Sequence, residues 1–112
     1  MSATRFGLPA EAVSKIGGVL AAHPEVESAI IYGSRAKGNY KPGSDIDLTL
    51  LGDRLVHHDL LKIMGELDDL LLPYTIDLSV FHMIDHGALR DHIKRAGQEF
   101  YRRQNAETPH LA

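Results

Sequence analysis

Apolar residues recur at helical spacing over residues 9–23, where Val13, Ile16, Val19 and Leu20 share one side of the winding. Pro9 suits a first helical turn and Pro24 follows the end, so the pattern predicts a first helix. Residues 26–32, "VESAIIY", and 46–51, "IDLTLL", are short, apolar and rich in β-branched side chains. Residues 74–81 alternate Ile76, Leu78 and Val80 with Thr75, Asp77 and Ser79, the period of a half-buried strand. Between the second and third predicted strands, Leu60, Met64, Leu67 and Leu71 follow one another at steps of four, three and four until Pro73 stops them. That spacing predicts a second helix. After Phe81, Asp85 is a candidate N-cap, Leu89 and Ile93 lie four apart, Lys94 and Arg95 fill a last turn, and Gly97 terminates a third helix. Phe100 or Tyr101 in residues 98–103 is expected to dock on the core. Residues 104–112 carry too little apolar surface to offset their ordering entropy and are expected to fray.

This order of elements implies an α+β fold, a mixed sheet of at least three strands with helices packed on one face. At 112 residues the expectation is a single domain over 1–112, its core about 8–103, without repeat or internal linker. A composition of 44% hydrophobic and 24% charged residues is that of a folded globular domain. Cysteine is absent, which excludes a disulfide framework and a thiolate metal site. The first residues lack a basic start followed by an apolar stretch, and no apolar run approaches the roughly 20 residues that span a bilayer. Neither secretion nor membrane insertion is indicated, and a cytoplasmic location is the expectation. A formal net charge of −3 argues against strong nucleic-acid binding, because phosphate neutralisation requires a positive balance.

The second predicted strand raises a chemical question. Residues two apart in a strand face the same side, so Asp45 and Asp47 align while Ile46 and Leu48 point into the packed face. Their Cα atoms would lie about 6 to 7 Å apart, and like charges that near oppose each other's ionisation unless a cation sits between them. Oxygen ligands without histidine or cysteine in the spacing suit a hard ion, Mg²⁺ or Mn²⁺, better than zinc. Alone, the pair is also what a solvated edge strand would show. Asp77 alters that weighing, because "IDL" recurs in the third strand with the same apolar flanks and sets a third acid on the same sheet face.

The connection from Ile31 to Asp45 is far longer than a hairpin needs. Gly33 permits close backbone approach, Ser34 is a good N-cap, and "RAKG" can wind one turn whose free N–H groups meet a phosphate. Read together, the acids would hold a metal, the metal a polyphosphate, and the Gly33–Ser34 turn would hold the phosphates from the other side. By itself the loop is equally well read as a solvated connector.

"GSRAKGNYKPGSDIDL" followed about thirty residues later by "IDLSV" resembles the minimal nucleotidyltransferases (MNT) of the DNA polymerase beta superfamily, over nearly the whole chain. The resemblance implies a nucleotidyltransferase fold, nucleotide binding by Gly33 and Ser34, and two Mg²⁺ ions held by Asp45, Asp47 and Asp77, with Mn²⁺ as a substitute. Asp77 would also accept the hydroxyl proton. Arg35, Lys37 or Lys41 would neutralise phosphate, Arg35 and Lys37 being the nearer to the turn. It further implies an enzyme transferring a nucleoside monophosphate, AMP from ATP, to a hydroxyl. The acceptor would be a tyrosine of an all-helical HEPN partner, with this chain as the antitoxin of the pair. Two alternatives stand beside this: a nucleotide-binding antitoxin that masks its partner without turnover, and a transferase acting on a small molecule. Of the seven histidines, His82, just after the third strand, is the one placed to matter.

Overall fold

The computed structural model describes residues 4–103; the tail expected to fray, 104–112, lies outside them. A small hairpin, β1 (Thr4–Arg5) and β2 (Leu8–Pro9), leads into α1 (Ala10–Ala21). There follow β3 (Ser28–Tyr32), a single turn α2 (Ser34–Lys37), β4 (Ile46–Leu51), α3 (His57–Asp68) and β5 (Ile76–Val80). A 3-10 turn (Phe81–Met83), α4 (Gly87–Ala96) and β6 (Gln98–Arg102) complete the described chain.

The main sheet is mixed, in the order β5-β4-β3-β6. The β3–β4 and β3–β6 pairs are antiparallel, and β4–β5 is parallel with α3 as its crossover. The three predicted strands are its central and one outer member. The fourth, β6, was not separable from a docking segment by sequence, because "QEFYR" shows no alternation beyond Phe100. Its pairing with β3 makes it a strand, and Phe100 is indeed buried. The outer edge of β6 is covered by Arg5, which donates to the carbonyls of Phe100 (3.3 Å) and Glu99 (3.1 Å).

Alternation sorts the two faces. Ala29, Ile31, Ile46, Leu48, Leu50, Leu78 and Val80 meet Ile16 and Leu20 of α1 and Ile63 and Leu67 of α3 in the larger core. On the opposite face Ile30, Tyr32, Leu51 and Phe81 pack with Ile93 of α4, so this shorter helix shares the face that carries the acids. Arg103 closes the exit from α1, donating to the carbonyls of Ala21 (3.3 Å) at the helix end and of His23 (2.7 Å) and Val26 (3.0 Å) beyond it.

Three sequence expectations are corrected. The helices do not all lie on one face: α4 covers the face of the acids, because Ile30, Tyr32, Leu51 and Phe81 leave an apolar patch there that Ile93 fills. The inward stripe of α3 is Ile63 and Leu67, whereas Met64 is exposed and Leu71, 88% exposed at φ 54°, lies beyond the helix. The helix stops at Asp68 because the chain must turn back to enter β5, and Leu70 N–H to Leu67 C=O (3.1 Å) and Leu71 N–H to Asp68 C=O (3.1 Å) tighten that exit. The N-cap of α4 is His86, whose Nδ1 accepts from the Leu89 N–H at 3.1 Å, in place of Asp85.

Candidate active site

The site grows from three strand ends. β3 delivers Tyr32 in register with Asp47 of β4, and Asp47 in register with Asp77 of the parallel β5. Side chains in register on neighbouring strands share one face, so Tyr32, Asp47 and Asp77 form a row across the sheet. Asp45, exposed, stands immediately ahead of β4, two residues from Asp47. The structure therefore brings the three predicted carboxylates to one end of one face.

Their electrostatics agree with that placement. The Asp47 carboxyl titrates above its ordinary value, first because it is partly buried and then because Asp77 and Asp45 repel its charge; His92 acts the opposite way. Tyr32 is also shifted upward, chiefly by burial and further by Asp77 and Asp47, while a hydrogen bond with Ser79 pulls it down. Ser79 in turn donates to Thr49 Oγ1 at 2.9 Å. The acids thus stand beside a phenol that remains protonated at neutral pH.

Directly after Tyr32 the chain turns at Gly33, with φ 75° and ψ −152°, a conformation open essentially to glycine alone. The spot where a β-carbon would sit is 2.4 Å from Asp47 Oδ2, so the glycine lets the carboxylate rest against bare backbone. Gly33 is the N-cap of α2, and Ser34, expected at that position, is its first helical residue. Lys37 and Lys41 are exposed.

Arg35 sits otherwise than a phosphate-binding cation would. It is only 3% exposed, and its guanidinium donates to the carbonyls of Ser44 and Phe6. His82 lies at the far ends of β4 and β5, bonded through Nε2 to the Leu55 carbonyl at 3.1 Å. The histidine that meets the site is His92 of α4, edge-on to the Tyr32 ring at 6.3 Å. Sequence reasoning missed it, although a signal existed: with Leu89 and Ile93 facing inward, position 92 flanks the same stripe.

Among the described residues no three His, Asp or Glu side chains are gathered tightly enough to hold a metal ion by themselves. A hard ion such as Mg²⁺ asks less, taking one or two carboxylates and completing its shell with water and substrate phosphates. Asp47 and Asp77 in register, with Asp45 beside them and a glycine cradle against Asp47, fit that pattern.

A sequence profile described as "Polymerase beta, Nucleotidyltransferase" matches residues 14–106. The chain belongs to this nucleotidyltransferase family. Comparison with curated proteins finds no match. Among solved structures, a chain of a toxin–antitoxin complex with AMP-PNP is similar at 21% identity and a TM-score of 0.66, covering 82% of this chain and 74% of that one. A chain from the complex of a tri-AMPylated Shewanella oneidensis HEPN toxin with MNT antitoxin is similar at 19% identity and a TM-score of 0.62, over 84% of this chain and 72% of its own. A Sulfolobus solfataricus protein described as a nucleotidyltransferase reaches 20% identity and 0.55, over 87% and 82%. These likenesses establish the nucleotidyltransferase fold. Among the described residues no helix is long and apolar enough to cross a membrane.

Proposed function

We propose that this family member moves AMP from ATP to a tyrosine hydroxyl of a HEPN-type helical partner, in the presence of Mg²⁺, and is the antitoxin of that pair. The observation that carries the reading is the in-register Asp47–Asp77 pair, with the Asp47 carboxylate lying against Gly33. It is supported by the toxin–antitoxin complexes among similar structures, one with AMP-PNP and one with an AMPylated toxin.

In this reading Asp45, Asp47 and Asp77 would hold Mg²⁺, and repulsion within the trio is relieved when they do. Bound there, Mg²⁺ would supply charge stabilisation for an in-line displacement at phosphorus. The Gly33–Ser34 backbone holds the polyphosphate, and exposed Lys37 is free to approach it. The acceptor oxygen attacks the α-phosphorus, the bond to pyrophosphate breaks, and the hydroxyl proton passes to Asp77, the exposed carboxylate of the row. With Asp45 and Asp77 both open to solvent, a docked partner can present its hydroxyl from that side, and such orientation lowers a barrier by several kcal/mol.

The test is incubation of the chain with its purified helical partner, ATP and Mg²⁺, followed by mass spectrometry of the partner. One or more AMP additions are expected, and none with Asp77→Asn, which preserves shape but removes the charge. An unmodified partner that is nonetheless neutralised, equally well by Asp77→Asn, would establish instead an antitoxin acting by binding alone.

A further inference from the structure

Arg35 is a buried cation spent on the protein itself. Nε and Nη2 both donate to the Ser44 carbonyl, at 3.0 and 2.9 Å, and Nη1 donates to the Phe6 carbonyl at 2.9 Å. The guanidinium carbon lies 5.2 Å from the ring centroid of Tyr40 and 5.2 Å from that of Tyr74. A single side chain thus ties together the β1–β2 hairpin tip, the residue that follows Gly33 and Ser34, and the approach to β5.

The Ser44 carbonyl is half of the peptide unit that leads into Asp45. Holding it with a two-pronged fork sets the direction in which Asp45 leaves the loop and the phase in which the chain enters β4. Gly38 and Asn39 N–H still meet the Ser34 carbonyl at the end of α2, at 3.0 and 3.2 Å; beyond them the loop is held by a local turn in which Ser44 N–H meets Lys41 C=O at 2.9 Å and Lys41 N–H meets Ser44 Oγ at 2.8 Å. Charge-assisted bonds are roughly twice as strong as neutral ones, and the loop has no core residue of its own between Gly38 and Asp45. Tyr40, which would otherwise lie free on this loop, is pressed between Arg35 and the backbone of Gly7.

We propose that Arg35 is a positioning residue of the candidate site: it fastens residues 38–45 so that Asp45 and the Gly33–Ser34 turn face each other before nucleotide arrives. The inference rests on the reading of these residues as a metal–nucleotide site. It assigns Arg35 a task that lysine cannot perform, because an ammonium is a point charge that cannot fork to one carbonyl while stacked between two rings.

The experiment uses the full chain with Arg35→Lys and Arg35→Gln, folding being checked by circular dichroism; if the Gln variant fails to fold, the Lys variant carries the test. Without nucleotide, chymotrypsin should cleave after Tyr40 at least tenfold faster in the variants than in the unsubstituted chain, with cleavage at other aromatic residues unchanged. By calorimetry, Mg·ATP should bind about tenfold more weakly to both variants, and adding Asp45→Asn to Arg35→Lys should produce no loss beyond that of Asp45→Asn alone. Unchanged protection of Tyr40, or faster cleavage spread evenly over all aromatic sites, would overturn the proposal. So would wild-type affinity in Arg35→Lys, the behaviour of a simple phosphate-binding cation. If the unsubstituted chain does not bind Mg·ATP, the proposed function falls and this inference with it, whatever the protease shows.

Discussion

Replacement of Gly33 by alanine tests the junction between backbone and site most sharply. The native conformation, φ 75° and ψ −152°, is one that an L-residue adopts only at about 1–3 kcal/mol. Alanine also narrows the unfolded ensemble, which returns about 0.4–1 kcal/mol, leaving a net loss of roughly 1–2 kcal/mol. At about 4–6 °C per kcal/mol for a domain of this size, the melting temperature should fall by roughly 4–12 °C. The new methyl carbon would also arrive 2.4 Å from Asp47 Oδ2, so the carboxylate must swing away from the turn. Gly38→Ala is the control, since Gly38 has φ 85° but nothing within 4 Å of its β-carbon position. Both variants should lose stability in a thermal melt, whereas only Gly33→Ala should also lose Mg·ATP binding by calorimetry. Gly33→Ala with an unchanged melt and full affinity would refute the reasoning. Equal losses of affinity in the two variants would show that strain alone, not the displaced carboxylate, is responsible.

Asp47→Asn should raise the melting temperature of the metal-free chain at pH 7 while abolishing Mg·ATP binding. Because the folded carboxyl titrates above its unfolded value, its contribution to stability is full below the unfolded value near pH 3.9 and is lost as pH rises through the folded one. Melts in EDTA should therefore show a gap between variant and parent that closes below about pH 4; a gap independent of pH, or a less stable variant, would contradict this. Leu71→Gly should stabilise by about 0.5–1 kcal/mol, since a left-handed backbone costs a leucine about 1–2 kcal/mol and glycine returns part of that as unfolded entropy. Denaturant titration checks it, and a lower midpoint would count against it. Leu48→Ala, at a fully buried position of β4 between two helices, should cost about 2–5 kcal/mol in the same assay, and a cost under 1 kcal/mol would show the site to be less packed than the structure has it.

Much of this molecule follows from local rules. Strand alternation alone puts Ile46 and Leu48 inside and Asp45 and Asp47 on the opposite face, because the period of two is a property of the extended backbone. Likewise Gly33 announces a close backbone approach, and a single turn winds after it, starting one residue earlier than the expected Ser34 cap. Tertiary structure decided what spacing cannot encode. That Asp77 lies level with Asp47, and not one residue up or down, depends on the register of a parallel pair joined through α3. Segment 98–102 is a strand because β3 offers it an edge, and Leu71 turns outward because the chain must re-enter the sheet there. Arg35 shows the division most plainly: in sequence it is a cation beside a phosphate-binding turn, but the rings and carbonyls that claim it come from residues 6, 40, 44 and 74. A guanidinium goes where acceptors and aromatic faces converge, and chain positions so far apart converge only when the fold has formed.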